Sequence, residues 1–458
     1  MTLATSSQAS AVRTSSTDVR VSLSSWLGLT ALMIVLMYSM VDRQIFTLLA
    51  EAIRKEMALS DAQLGLLQGV GLALVGVATT YPIAWLADRF DRRLVAIGCV
   101  LAWSAAVVLC GLAPSYPWLL IGASVVGVGE AGVTPIGYAM IADLFPESKR
   151  QLANSVLSIG SRLSASAAAA IAGMTVAGAN TLRPVLPPVL ANLSPWRLGF
   201  LVTALFLPIA VLLLLTLPRR VSGLAGSTGD GSLKLSLQKA PTAPVLSFLR
   251  RNARAQFGFL IGIAVATFGF ACVGIWVPVV AARDFHQTPA AAGTWMASIS
   301  LISGVLGFVI GNAILAWLRP RFGVRLPMMA LAAVAFLGAP CSILIGFATN
   351  ADQLYEFWGV QAVLLMTYTM VGPTVLQNMS PLHLRSRLFA LLGLVSMVAG
   401  AASPVVVGLV SDHLHRLPHG LLISAMAAST IALVVSGVIL WSTVDSYAAL
   451  AVEAGATP

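Results

Sequence analysis

Apolar runs long enough for a helix to cross a bilayer, roughly 17 to 25 residues, recur along this chain with short polar or basic gaps between them. They fall near 26–50, 62–87, 94–113, 117–140, 152–176 and 197–217, and again near 257–281, 290–317, 326–348, 355–377, 388–410 and 420–442. The intervening 219–256 runs from Arg219-Arg220 through Gly-Ser-Thr-Gly-Asp-Gly-Ser to Arg250-Arg251-Asn252-Ala253-Arg254, the composition of a linker. The pattern predicts an all-α membrane protein with twelve transmembrane helices in two six-helix halves. The expected organisation is a tail over 1–24, an N-terminal half over 25–218, a cytoplasmic linker over 219–256, a C-terminal half over 257–443 and a second tail over 444–458.

Composition agrees with the pattern. With 58% hydrophobic and 10% charged residues among 458, the chain has too little polar surface to cover a soluble globule. The net charge of +10 would suggest nucleic acid in a soluble protein, but here the basic residues sit in the gaps. If both termini lie inside, the inner segments hold 19 Lys and Arg and the outer ones 6, which places both termini in the cytoplasm. Residues 1–22, rich in Ser, Thr and Ala, read as a disordered tail and not as a signal peptide. The expected location is a bacterial inner (plasma) membrane. Two six-helix halves joined by a basic loop are the arrangement of a secondary transporter that rocks about a midplane site.

The chemistry begins with Gly127-Val128-Gly129-Glu130-Ala131 in the fourth span. A carboxylate near the middle of a span is costly and is by default functional. Three other charges lie at depth: Asp42 and Arg43 in the first span and Arg162 in the fifth. The cores of the last six spans contain no Asp, Glu, Lys or Arg, and their polar content is mainly Asn312, Gln361, Thr367, Tyr368 and Thr369. No nucleotide-binding loop, metal constellation or nucleophile with a nearby base appears, so no cofactor or metal is expected and an intramembrane enzyme is a secondary reading.

Between spans two and three lies Ala84-Trp85-Leu86-Ala87-Asp88-Arg89-Phe90-Asp91-Arg92-Arg93. It resembles the signature Gly-x-x-x-Asp-Arg-x-Gly-Arg-Arg of the major facilitator superfamily, with Ala84 and Asp91 in place of the glycines. Asp88 at a helix end can cap a neighbouring helix, and Arg89, Arg92 and Arg93 can pair with acids such as Asp143. With Arg150 these residues form a candidate conformational latch. Tyr38-Ser39-Met40-Val41-Asp42-Arg43-Gln44, the Gly127–Ala131 run and Ala142-Asp143-Leu144-Phe145-Pro146 resemble the Spinster-like branch.

The resemblance implies the major facilitator fold and an alternating-access carrier of lipid-like or amphiphilic solutes, proton-driven in bacteria. It places Asp42, Arg43 and Glu130 at the polar centre. The family's fourth helix carries Arg-x-x-x-Gly-x-Gly-Glu, whereas Ala123 stands here in the arginine position. Arg162 is the candidate replacement, since at about 1.5 Å per residue both it and Glu130 lie roughly 15 Å or more inside their spans. The expectation is a network of Asp42, Arg43, Glu130 and Arg162. A poorly paired Glu130 would carry protons; a close Arg162 would hold it ionised and leave transport uncoupled.

Tyr38, Tyr138, Trp276, Gln361 and Tyr368 are candidate pocket-wall residues, giving a charged half that faces an apolar one and suits a solute with a polar head and a greasy body. The functional expectation is proton-coupled transport of a small amphiphilic solute by a monomer in the lipid bilayer, without nucleic acid. The alternatives are a multidrug, organic-anion or sugar-type facilitator without proton coupling, and a transporter-like receptor.

Overall fold

The computed structural model describes residues 23–453 apart from 146, 182, 183, 185, 186, 206, 218–242, 382 and 383. The chain order is α1 (Leu23–Met57), α2 (Asp61–Leu66), a π-helical stretch (Leu67–Leu74), α3 (Val75–Arg89), α4 (Arg92–Leu112), α5 (Tyr116–Leu144) and α6 (Glu147–Thr181). The short α7 (Pro188–Ala191) leads to α8 (Pro195–Ala204) and α9 (Leu207–Leu215). Then follow α10 (Ala243–Arg251), α11 (Ala253–Gly274), α12 (Val277–Asp284), α13 (Pro289–Phe322), α14 (Leu326–Ile345), α15 (Ala351–Asn378), α16 (Arg385–His413), α17 (Gly420–Ser442) and α18 (Val444–Glu453).

Among the described residues, nine helical stretches are long and apolar enough to cross a membrane. One of them, Pro289–Ile345, turns at Gly323, whose positive φ of 53° suits a residue without Cβ, and so contains both α13 and α14. The rods 61–89 and 147–181 take the places of the second and fifth expected spans.

Local chemistry sets the ends of these helices. Ser60 and Gln63 form a reciprocal capping box at α2. Asp91 accepts from the Arg93 N–H and caps α4, and Asn350 accepts from Gln353 to start α15. The seventh span breaks between Gly274 and Val277, with Pro278 in the first turn of α12. Gly372-Pro373 and Pro404, by contrast, lie inside the unbroken α15 and α16. The π-helical stretch is not evident from the apolar pattern, because its side chains are as apolar as those of an α-helix.

Among the described residues, the extensive contacts between the two halves lie toward one end. We call the end that bears the turn 57–61 distal, and the end near the linker and both chain ends terminal. At the distal end α2 and the π-helical stretch pack on α16, α6 packs on α13, and α1 touches α12. The contacts are backbone-close: Gly65 lies on the Pro404 carbonyl and Gly69 on that of Ala401, with no room for a side chain at either. Small residues serve the same end of α6, where Ala169 and Gly173 lie against Gly293 and the Ser166 hydroxyl donates to the Ala297 carbonyl. Among the described residues, α16 makes no comparable packing on α3, so the bundle is closed distally and more open terminally.

Candidate functional site

In the first half α1, α4 and α5 bring three of the predicted charges together. Glu130 is 4% exposed on α5, and Arg43 Nε donates to its Oε2 at 2.7 Å. The Arg43 side chain remains 41% accessible and that of Glu130 only 3%, so the arginine is the more exposed partner of the pair. Asp42 is fully buried and turns to α4, where Trp103 Nε1 donates to its Oδ2 at 2.6 Å. One residue apart on a helix is about 100° of rotation, which sends Asp42 and Arg43 to different neighbours. Asp42 Oδ1 and Glu130 Oε1 are buried without a hydrogen-bond partner among the described residues.

Gly129 explains how Trp103 reaches Asp42. A Cβ at 129 would stand 2.6 Å from Trp103 Cβ and 2.8 Å from the Cys99 carbonyl, so the glycine before Glu130 lets α4 lie directly on α5. Trp103 itself is fully buried. Its role escapes sequence reasoning because a tryptophan in an apolar span reads as core; the available signal is a buried carboxylate, Asp42, that needs a donor. Ala123, in the family's arginine position, is fully buried and faces Gly71 of the π-helical stretch.

The remaining predicted residues fall elsewhere. Tyr38, one turn before Asp42, donates to the Thr203 carbonyl at 2.6 Å and lies against Trp103. Trp276 is fully buried at the break between α11 and α12. Gln361 Nε2 donates to Ser342 Oγ at 2.6 Å, and Tyr368 lies with its hydroxyl 3.5 Å from the Gly262 carbonyl. Gln361 and Tyr368 thus face the interior of their own half, at 1% and 3% exposure, and not an open wall. Arg89 is exposed and stacks on Trp85, Arg93 donates to the Leu217 carbonyl at 2.8 Å, and Arg92 is half-buried. The side chains of Asp88, Tyr138, Asp143, Arg150 and Arg162 lie outside the described residues. A groove of about 500 Å³ between α3, α4 and α5 passes Phe90, Leu94, Cys99 and Gly129. Its lining is apolar throughout and includes none of Asp42, Arg43 and Glu130.

A paired cation and carboxylate at depth, inside a two-halved bundle shut at one end, is an arrangement for moving a solute, and comparison with known proteins decides the family. The profile of the Major Facilitator Superfamily matches residues 29–311. The chain belongs to this superfamily. It is therefore an integral membrane transporter and not an enzyme. It is 26% identical over 398 residues to an MFS-type efflux pump of Mycolicibacterium smegmatis, covering 85% of each chain. It is also 26% identical over 384 residues to the sphingosine-1-phosphate transporter SPNS2 of Danio rerio, covering 80% of this chain and 71% of that one. The fold matches the crystal structure of a bacterial homologue of the human lysosomal transporter Spinster, in an inward-facing and unoccupied conformation. That match has a TM-score of 0.74 at 23% identity and covers 94% of this chain and 97% of the other. These likenesses agree with the Spinster-like resemblance of residues 38–150.

Proposed function

We propose that this protein is a secondary active transporter that moves a small amphiphilic or lipid-like organic solute by alternating access, coupled to protons through Asp42 and Glu130. The observation that carries the reading is the Arg43–Glu130 pair, a partly accessible arginine side chain bonded to a buried carboxylate. An anionic or zwitterionic head entering the interior competes for Arg43 with two oxygens in the geometry that a guanidinium prefers. Glu130 is then an uncompensated buried charge, which a proton neutralises. Asp42 has the Trp103 N–H but no cationic partner among the described residues, and is the second place for that proton. Arg162 lies on α6, which packs along α1, and is proposed as a second cation for the site.

The bias of Lys and Arg supports cytoplasmic termini and twelve crossings. On that orientation the parted terminal end faces the cytoplasm and the conformation is inward-facing. The latch proposed for Asp88, Arg89, Arg92, Arg93, Asp143 and Arg150 would hold that end shut in the opposite state. In the present state the Arg89 stack on Trp85 and the Arg93 bond to Leu217 both stay within the first half.

The relatives include an efflux pump and a sphingosine-1-phosphate transporter, which supports an amphiphilic organic solute. Purified protein in liposomes tests the reading. Screening lysolipids, fatty acids, sugars and common drugs by thermal shift identifies a ligand, because one that binds only the folded state raises apparent stability. Flux of that ligand is then followed with and without a pH gradient. Flux of unaltered solute that responds to the gradient is expected. A covalently altered product, or binding without flux, would overturn the assignment, and flux indifferent to the gradient would leave a facilitator.

A further inference from the structure

Among the described residues, the ion pairs that cross between the halves at the distal end converge on one guanidinium. Arg283, in the last turn of α12, donates Nη1 and Nη2 to the two carboxylate oxygens of Asp61 at 2.9 and 2.6 Å. The same side chain donates Nε and Nη2 to Glu51 Oε2 at 3.1 and 3.0 Å. Arg283 belongs to the second half; Asp61 and Glu51 belong to the first, with side chains 9% and 5% exposed. Bidentate, charge-assisted and largely shielded, these are hydrogen bonds of the strong class.

α16 of the second half adds a further layer. Ser411 Oγ donates to Asp61 Oδ2 at 2.6 Å. Asp412 accepts the backbone N–H groups of Asp61 at 2.8 Å and Ala62 at 3.1 Å. A carboxylate from one half thus binds the helix N-terminus of the other, where the unpaired N–H groups and the helix dipole favour it. Gly408 lies against the Asp61 carbonyl with no room for a Cβ.

The two carboxylates are not equivalent. Glu51 is also held from its own helix by Arg54, whose Nε and Nη2 each stand 2.9 Å away, and Lys55 lies 3.8 Å off. It keeps partners when the halves part. Asp61 would keep only Arg54, at 4.0 Å, so separation costs Asp61 the most.

We propose that Arg283, Asp61, Ser411 and Asp412 form an inter-half lock that sets the population of the distally closed conformation, with Asp61 as its node. This rests on the alternating-access reading. The lock is not opened by ordinary acidity. Burial alone would lift the Asp61 carboxyl, but the Arg283 and Ser411 hydrogen bonds and the Arg283 charge more than offset it and hold the group below the usual carboxylate range. Its contribution is therefore present at neutral pH and is lost only as pH falls through that depressed value. Opening draws instead on events at depth, and α1 carries both Arg43 and Glu51, eight residues or about 12 Å apart, on one continuous helix.

The test is a distance distribution between spin labels on cysteines replacing the exposed Ala52 and Arg416, in protein whose four native cysteines are changed to alanine, reconstituted in liposomes. Arg283→Gln is expected to raise the ratio of long to short distances about tenfold, within the range of allosteric couplings. Asp61→Asn should act in the same direction, and Arg283→Lys, which keeps the charge but not the fork, should fall between. A wild type showing both distances with an Arg283→Gln ratio unchanged would overturn the lock and leave alternating access standing. A single short distance in wild type and all variants, whatever the pH or ligand, would overturn both. If Arg283→Gln loses its fold by thermal unfolding, Ser411→Ala, which removes one hydrogen bond, is expected to give a smaller shift of the same sign; no shift there would count against the lock.

Discussion

The two halves use their polar residues in opposite ways. In the first, Asp42, Arg43 and Glu130 sit at depth with oxygens left over, Asp42 Oδ1 and Glu130 Oε1, and with an arginine side chain that remains partly accessible. In the second, Gln361 binds Ser342 and reaches Ser429, and Thr367 donates to the Gly307 carbonyl. Ser436 donates to the Gly262 carbonyl, the group beside which the Tyr368 hydroxyl also lies. These bonds join α15 to α14, α17 and α13, and α17 to α11. Neutral amides and hydroxyls fasten helices on one side, while ionisable side chains would do chemistry on the other. Both halves leave some buried polar atoms unpaired among the described residues, Gln361 Oε1 included, so the difference lies in charge: a buried carboxylate short of partners can take up a proton, whereas a neutral amide or hydroxyl cannot.

Removing the chemistry of the first half should have the largest effect. Glu130→Gln is expected to lower gradient-driven accumulation in liposomes by about a hundredfold, the scale of a lost proton-transfer group, while solute exchange partly persists. Accumulation equal to wild type would remove Glu130 from coupling. Arg43→Gln leaves Glu130 buried without its cation. Breaking such a pair costs about 3–5 kcal/mol when both partners are buried, and because Arg43 is 41% accessible a smaller loss of about 2 kcal/mol is expected. Thermal or denaturant unfolding in detergent measures it, and the loss should shrink on acidification as Glu130 binds a proton. A pH-independent loss would mean that the pair acts by packing alone.

Smaller changes sharpen the same contrast. Gly129→Ala places a methyl group against Trp103 and should destabilise by about 1–3 kcal/mol through overpacking, disturbing the Asp42 bond as well. Trp103→Phe keeps a ring but removes the donor to Asp42. A cost of about 1–3 kcal/mol is expected for an unsatisfied buried acceptor, together with a shifted pH profile of transport, which a packing defect alone would not produce. Gln361→Leu in the second half should cost least, about 0.5–1.5 kcal/mol, because Ser342 and Ser429 still bond each other at 2.8 Å. Its pH profile should match that of wild type; a shift would place chemistry in the second half.

Much of this is legible in the order of residues alone. The span expected at 94–113 is α4, Arg92–Leu112, and the span expected at 420–442 is α17, Gly420–Ser442, because membrane length and hydropathy constrain both ends of a run. Gly and Pro mark kink candidates at Gly274 and Pro278, at Gly372-Pro373 and at Pro404 alike, but only the first pair sits at a break, so the residue types alone do not single it out. The pocket wall is less legible. Gln361 and Tyr368 are expected to face the solute because polar side chains in apolar spans stand out, yet a polar side chain is equally at home where it bonds a neighbouring helix. In the sequence Arg283 is only one outer basic residue, and nothing there joins it to Asp61.

By itself the sequence determined that the chain is a two-halved helical membrane protein, that its buried charges cluster in the first half, and that Glu130 lies deep. Each of these depends on position along a helix, which the rise per residue supplies. The tertiary structure alone decided that Glu130 pairs with Arg43, that Trp103 serves Asp42, and that Arg283 joins the halves through Asp61. Such pairings depend on how helices are rotated and how closely they approach. Those are set by contacts between side chains far apart in the chain, down to the missing Cβ of Gly129.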